Sequence, residues 1–451
     1  MSNNIHLKRG LDIPIKGAAA RIVSKRIVPD LVAVKPGDFK GLVPRLLVRE
    51  GDRVLAGSPV MADKQNPDIL LTSPVSGTVS QVVRGDKRKL IAVLVKADGI
   101  QEYVDFGIRS AATCTRDEVK DILLRSGLWG AIVQRPYGVM ADPGIMPKAV
   151  FVSAFSTAPL SPDYEFTLSD QAAYVQEGLT ALSRLTEGGV HLALSESNYS
   201  RTPFHKMEGV IQHVVSGPHP AGNVGVQISH VSPIRKGETV WTVSLMMAAA
   251  IGKLFSTGKL DLRRKIAVTG PAAVDPAYIE ALPGTPASEV AAAFGADDTT
   301  RIIGGDVLTG KILGSDGWTG FFDDQVTLIK EGTHREVLGW AKPFRPKVHS
   351  TSWCYFSWLT PSKKYDMDTN LHGGPRAFVE TKCFEDVTPM DIFPIYLIKA
   401  CLAGDIEKME KFGIYEVLPE DLALCDYVDP SKNDIQAIIS KGIDLMIKEM
   451  A

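Results

Sequence analysis

Between residues 46 and 95 apolar positions recur every second residue and are cut by turn residues. Leu46 and Val48 alternate, Glu50-Gly51-Asp52 turns the chain, Val54 follows, and Gly57 turns it again. Ile69 and Leu71, then Val75, Gly77 and Val79, then Ile91, Val93 and Val95 carry the alternation on. A period of two with Gly, Asp and Pro at the breaks predicts short strands, so residues 1–105 are assigned to an all-β sandwich. From 106 to 260 strand-like and helix-like stretches alternate, which predicts a three-layer α/β domain. Thr115 to Leu124 reads as a helix with Thr115 as its cap and Glu118 completing a capping box. Lys148 to Ala154 and Val190 to Leu194 read as strands. Between them a helix with the apolar face Ala172, Val175, Leu179 and Leu182 is expected to be capped by Ser169 and closed by Gly188-Gly189.

The texture changes again after residue 260. Lys265 to Thr269 is a strand candidate ended by Gly270-Pro271, followed by a helix at Ala287 to Phe294 and a strand at Arg301 to Ile303. Residues 261–335 are therefore read as a small mixed β/α domain, 336–388 as an aromatic-rich connection, and 389–451 as a helical tail. In that tail Ile392 to Ala403, Ile406 to Phe412 and Asn433 to Met450 are the helices expected.

A chain of 451 residues with 45% hydrophobic and 23% charged residues is long enough for several ordinary cores. Its net charge of -2 gives nucleic-acid binding no electrostatic support. The longest apolar candidate, Leu245 to Ile251, falls far short of the roughly 18 residues that cross a bilayer as a helix. The start, Met1-Ser2-Asn3-Asn4-Ile5-His6, lacks the charged and apolar regions of a secretory signal, so the expectation is a chain kept in the cytoplasm. Cys114, Cys354, Cys383, Cys401 and Cys425 form no Cys-x-x-Cys pair, which argues against a disulfide framework and against a zinc or iron–sulfur site made by this chain. Small buried hydrophobes are the expected role for each.

Candidate chemistry is sparse. The richest loop, Gly217-Pro218-His219-Pro220-Ala221-Gly222-Asn223-Val224-Gly225, lacks both Gly-x-Gly-x-x-Gly and a following Lys-Ser/Thr. A phosphate cradle needs converging backbone N–H groups, and two prolines here remove donors. If this degenerate loop held a cofactor, Gly217, His219, Gly222 and Gly225 would be the residues near it; a shaped structural turn is the favoured reading. His205, His213, His219 and His230 cluster without carboxylates at ligand spacing, and His213 and His219 straddle a turn across which they could meet; no metal site is expected. No Gly-x-Ser-x-Gly elbow or His-Glu-x-x-His is present, so no catalytic residue is assigned. Asp63-Lys64 sits near where a lipoyl domain carries its modified lysine, but Asn66-Pro67 and the thirteen residues to Gly77 stretch that hairpin, and an unmodified charged turn is expected. Trp353, Tyr355, Phe356 and Trp358 put large rings on both faces of one predicted strand, the pattern of either a buried core or a partner interface.

Several segments together carry a family resemblance. They are Lys8-Arg9-Gly10-Leu11-Asp12-Ile13-Pro14-Ile15, the sandwich signatures Glu50 to Gly57 and Ser73 to Val79, and Ser216-Gly217-Pro218-His219-Pro220-Ala221-Gly222. Phe255-Ser256-Thr257-Gly258, Gly304-Gly305-Asp306-Val307-Leu308-Thr309-Gly310, Cys401-Leu402-Ala403-Gly404-Asp405 and Glu420-Asp421-Leu422-Ala423-Leu424-Cys425 follow in order. The chain resembles, over its whole length, the NqrA family of sodium-translocating NADH:quinone oxidoreductase subunits. That family is similar in turn to the C subunit of Rnf complexes and to the flavin-carrying NADH-binding subunit of respiratory complex I. The resemblance implies an α/β plus β, multidomain chain. Its parts would be a biotinyl/lipoyl-like barrel-sandwich, a Rossmann-like α/β domain with degenerate cofactor loops, a β-grasp domain of the soluble-ligand-binding type, and a helical C-terminal domain.

It also implies a function: a peripheral subunit on the cytoplasmic face of the inner membrane, not catalytic in isolation. Its complex would oxidise NADH, reduce a quinone such as ubiquinone and export sodium. Five other subunits are implied as partners, chiefly a membrane-embedded one, with the quinone at the interface. FAD, FMN and iron–sulfur are expected in those subunits, and no cofactor in this one. The relatives that hold flavin do so on a glycine-rich turn after the first helix, where this chain has Ser126-Gly127-Leu128-Trp129-Gly130-Ala131-Ile132-Val133-Gln134-Arg135-Pro136-Tyr137. They also carry a cysteine cluster where this chain has Cys425-Asp426-Tyr427-Val428-Asp429-Pro430. The alternative function, a free-standing flavin-binding NADH dehydrogenase module, needs glycine where Trp129 and Arg135-Pro136 stand.

Overall fold

The structure, a computed structural model, describes residues 4–333, 339, 345–351, 357–378 and 382–450. Its centre is a seven-stranded sheet in the order Asn4–His6, Ile211–Ser216, Val190–Ser195, Val150–Ser153, Val240–Thr242, Val133–Arg135, Val139–Met140. The first five run parallel and the last two form an antiparallel hairpin at one edge. Parallel strands are covered on both faces, and their sequences are correspondingly apolar: Val150, Phe151, Val152, Val190, Leu192 and Leu194 are all buried. On one face the helices Ala172–Ser183 and Leu245–Thr257 pack against each other through glycines. A Cβ on Gly178 would lie 1.8 Å from the Ala248 carbonyl oxygen, and one on Gly252 1.8 Å from that of Tyr174. The helix Val224–Val231 lies on a second core with Phe151 and Val240.

The capping box on the first helix, Arg116–Ser126, is present as read from the sequence: Thr115 Oγ1 accepts from the Glu118 amide and Glu118 Oε2 accepts from the Thr115 amide at 2.8 Å. The expected cap on the next helix is a correction. Ser169 donates its hydroxyl to the Phe166 carbonyl at 3.1 Å, and the helix starts beyond it at Ala172, after Gln171. An unforeseen short helix, Tyr164–Thr167 capped by Asp163, uses up the intervening chain. Gly188-Gly189 likewise does not close that helix, which ends at Ser183. The two glycines admit the chain to the strand at Val190: a Cβ on Gly188 would meet the Lys148 oxygen at 1.8 Å, and Gly189 has a left-handed φ of 82°.

The barrel-sandwich closes from a four-stranded and a three-stranded sheet over Val32, Val60, Met61, Leu71, Val79 and Val95. A six-stranded mixed sheet forms the grasp-like domain, in the order Lys311–Leu313, Thr300–Gly304, Gln325–Lys330, Arg264–Thr269, Ala277–Ala281, Ala20–Arg26. The start of the chain is therefore shared out: Asn4–His6 extends the central sheet and Ala20–Arg26 the grasp sheet. The C-terminal helices Pro394–Ala403, Ile406–Phe412, Ala423–Val428 and Ile435–Met450 share one core with Ile5, Leu7 and Val215 of the central sheet. Trp353, Tyr355 and Phe356 lie outside the described residues, and Trp358, 48% exposed, stands in a short 3-10 turn, Ser357–Leu359.

Candidate functional site

The loop after the strand Ile211–Ser216 leaves the carboxyl end of the parallel sheet, the edge where open α/β sheets hold ligands. Each glycine of this loop is fitted to protein. Gly217, with φ 134°, approaches the Leu7 carbonyl, 2.5 Å from where a Cβ would stand. Gly222 comes equally close to the Thr157 amide nitrogen, so this loop packs on the loop that follows Val150–Ser153. A Cβ on Gly225, in the first turn of Val224–Val231, would lie 2.3 Å from Arg135 Nη1 and 2.4 Å from Asp421 Oδ2.

His219 is buried in the middle of the loop. Its amide donates to Asp12 Oδ1 at 2.9 Å, its carbonyl accepts from the Leu11 amide at 2.8 Å, and its Nδ1 lies 3.2 Å from Thr157 Oγ1. Burial holds its pKa below the usual imidazole value, against the opposing pull of Asp306, Asp12 and Asp421, so the ring is neutral at neutral pH.

Beside the loop stands an ionic triad in which Arg135 and Asp421 are buried and Glu420 is exposed. Arg135 ends the strand Val133–Arg135 and is 1% exposed. Its Nη1 donates to Asp421 Oδ2 at 2.7 Å and its Nη2 to Glu420 Oε1 at 2.6 Å. Burial opposes the charge on Arg135, but the two carboxylates outweigh it and the guanidinium stays charged. The Glu420 side chain is itself 46% exposed, so only Asp421 shares the burial of Arg135. Asp421 Oδ2 also accepts from the Leu418 amide at 3.0 Å, and Asn223 Nδ2 donates to the Glu420 carbonyl at 3.1 Å. Loop, strand end and C-terminal segment are thus tied in one polar knot, which joins Gly225, Arg135 and Asp421 although nothing in the sequence pairs them.

The turn expected to have lost its ligand is packed with side chains. Trp129 is fully buried, donates from Nε1 to the Ala141 carbonyl at 2.8 Å, and meets Trp241 edge-on with ring centres 5.4 Å apart. Beside this turn Lys35, Phe39, Leu71, Leu128, Leu262 and Phe321 line a mostly apolar crevice.

The four histidines do not converge. His213 meets His191 instead of His219: His191 Nδ1 and His213 Nε2 are 2.8 Å apart, with rings parallel to within 5°. His205 contacts the Thr202 carbonyl oxygen and His230 that of Val226. Among the described residues no group of three or more His, Cys, Asp or Glu is placed to hold a metal ion. No helix among them is long and apolar enough to cross a membrane.

Three family models match the chain. The "NqrA N-terminal barrel-sandwich hybrid domain" covers residues 5–98, the "NqrA second alpha/beta domain" 114–260, and the "NQRA C-terminal domain", of the SLBB class, 265–314. Curated relatives, each named as the A subunit of a Na(+)-translocating NADH-quinone reductase, match over nearly the full length. The protein of Rhodopirellula baltica is 37% identical, with 98% of each chain covered. That of Pseudomonas aeruginosa PAO1 is 36% identical, over 97% of this chain and 98% of its own, and that of Yersinia pestis Angola 34%, over 96% and 97%. Two solved chains of NAD+-reducing [NiFe]-hydrogenase also align, each with a TM-score of 0.35, at 15% identity over 49% of this chain and 48% of that one, and at 11% over 68% and 56%. That likeness is too slight to bear on fold or function.

Proposed function

From a chain that belongs to the NqrA family, the A subunits of Na(+)-translocating NADH-quinone reductases, we propose a peripheral, cofactor-poor subunit that docks on the membrane subunits from the cytoplasmic side and supports the quinone-reduction end of the complex. The observation that carries the reading is the filling of the Rossmann-like crevice by Arg135 and Asp421, with Gly225 pressed against them. A flavin phosphate needs free backbone N–H groups and a helix start open to solvent. Here the first turn of Val224–Val231 faces a carboxylate already bound to an arginine. An added anion would have to displace Asp421 and would meet its negative charge at close range. Trp129 closes the glycine turn in the same way.

On this reading FAD, FMN and iron–sulfur sit in the other subunits, five in number, and quinone meets this chain at most at an interface. The loop of Gly217, His219, Gly222 and Gly225 then serves packing, and NADH oxidation lies elsewhere.

The test is an absorption spectrum with a split of the half-reactions. The gently purified chain is expected to be colourless and to bind neither FMN nor NADH. Removing it from the complex is expected to abolish NADH:quinone turnover and sodium transport while NADH oxidation by a soluble acceptor survives. A stoichiometric flavin spectrum, or parallel loss of both activities with the other subunits still assembled, overturns the proposal.

A further inference from the structure

The helix Pro394–Ala403 buries Ile395, Leu397, Ile398, Ala400 and Cys401 in the C-terminal core. What remains faces solvent at intervals of three residues: Phe393 just before it, then Tyr396, Lys399 and Leu402. Residues three apart are neighbours along one side of a helix. The outward stripe of an amphipathic helix is normally polar, yet three of these four are large and apolar, with Phe393 58%, Tyr396 56% and Leu402 58% exposed.

Phe412, which ends the adjoining helix Ile406–Phe412, completes a ring cluster. Its centre lies 5.6 Å from that of Tyr396 and 6.1 Å from that of Phe393, and Phe393 and Tyr396 meet nearly edge-on at 6.4 Å. The rings brace one another, so a partner that covers them immobilises little that is not already held. A contiguous, braced apolar patch is informative where a lone exposed leucine is not.

The charges around the rings say what kind of partner fits. Nearby Lys408 pairs with Asp405 at 2.6 Å and Lys236 with Glu410 at 2.7 Å. Lys399, inside the stripe, and Lys411, next to Phe412, make no ion pair among the described residues. A carboxylate brought by the partner would complement them. An anionic bilayer would also attract two lysines, but Asp391 stands exposed two residues from Phe393, and Glu407 is exposed on the adjoining helix. A rim of mixed sign around an apolar centre is the make-up of a protein interface.

We infer that the stripe Phe393, Tyr396, Lys399 and Leu402, with Phe412, is a docking surface for an apolar polypeptide segment of another subunit of the reductase, one that presents a carboxylate to Lys399. The inference rests on the reading of this chain as a docked subunit.

The test uses the assembled complex with p-benzoyl-phenylalanine in place of Tyr396. Illumination is expected to join this chain to one other subunit. Adducts to lipid alone, to a second copy of this chain, or to nothing overturn the proposal. In parallel, Phe393→Ser combined with Tyr396→Ser should leave the free chain folded with a cooperative unfolding transition and cut its recovery with the complex by about tenfold or more, the cost of losing two interface aromatics. Lys399→Glu, a change unable to empty any core, should weaken recovery, and Lys399→Arg should restore it. Full recovery of all these variants overturns the proposal. A flavin found in the purified chain would sink the cofactor-poor reading and leave the cross-link untouched. A wild-type chain that recovers with no complex would sink the docked-subunit reading itself.

Discussion

Arg135 and Asp421 lie 286 residues apart in the chain and 2.7 Å apart in space, both shut off from solvent. One belongs to the edge hairpin of the central sheet and the other to the C-terminal segment, so their pairing fastens the tail to the α/β domain. Removing Asp421 leaves the buried Arg135 charge with only the exposed Glu420 as its partner. Asp421→Ala is expected to cost about 3–5 kcal/mol, read as a fall in the urea midpoint, while the double change Arg135→Met, Asp421→Leu costs clearly less. Gly225→Ala should approach the single variant, because its methyl would occupy the space of Arg135 Nη1. A loss from the double change as large as that from Asp421→Ala would show that the stranded arginine charge is not the source of the cost.

The stacked histidines predict a pH dependence. Burial, and then the neighbouring His213, push the His191 pKa down to about 4, and burial lowers that of His213 as well. Below about pH 6.5 the unfolded chain takes up protons that the folded rings refuse. Their contribution is therefore complete above that value and drains away as the pH falls toward 4. His213→Leu is expected to flatten the unfolding midpoint between about pH 7 and pH 5, relative to the wild type. An unchanged slope would rule out the pair as its source.

Glu416 has the opposite sign. Burial, and then Asp391, raise its pKa to about 7, so the folded chain holds a proton that the unfolded chain loses from its ordinary 4.5 upward. Stability from this group is lost as the pH rises through that window. Glu416→Gln should raise the thermal midpoint at about pH 8 and leave it unchanged at about pH 5. A gain of equal size at both values would mean that packing, and not titration, is responsible.

Lys64 is expected to be unmodified and dispensable. Its turn is organised by the residue before it: Asp63 Oδ1 accepts from the Val43 amide at 3.0 Å and from the Gln65 amide at 3.3 Å, and Oδ2 from the Asn66 amide at 3.2 Å. Lys64 itself is exposed. The intact mass should match the plain 48.8 kDa chain, and Lys64→Ala should leave the activity of the complex unchanged. Asp63→Ala, by contrast, should destabilise the sandwich, because three amides lose their acceptor. A lipoyl or biotinyl increment in the mass would overturn this.

Much of the fold was readable from local pattern. The alternation around Val79 and Val95, the capping box of Thr115 and Glu118, and the helix at Ile406 each depend on neighbours within a few residues. The misplaced cap at Ser169 failed because the short helix behind Asp163 leaves no periodic trace of its own. At the candidate site the glycines stood out in the sequence, but not what they make room for. Nothing in the sequence pairs Arg135 with Asp421, and His191 lies outside the histidine cluster although it is the residue that His213 meets.

The amino-acid sequence by itself determined the class of each part and the family, because short-range periodicity, turn residues and a long run of ordered segment matches are all written along one dimension. Only the tertiary structure decided which distant residues share a space. It placed Asn4–His6 in the central sheet, turned His213 toward His191, and filled the Rossmann-like crevice with Arg135 and Asp421. The reason is physical. A buried charge must find a partner wherever the folded chain brings one within hydrogen-bond reach, and separation along the sequence does not enter that condition.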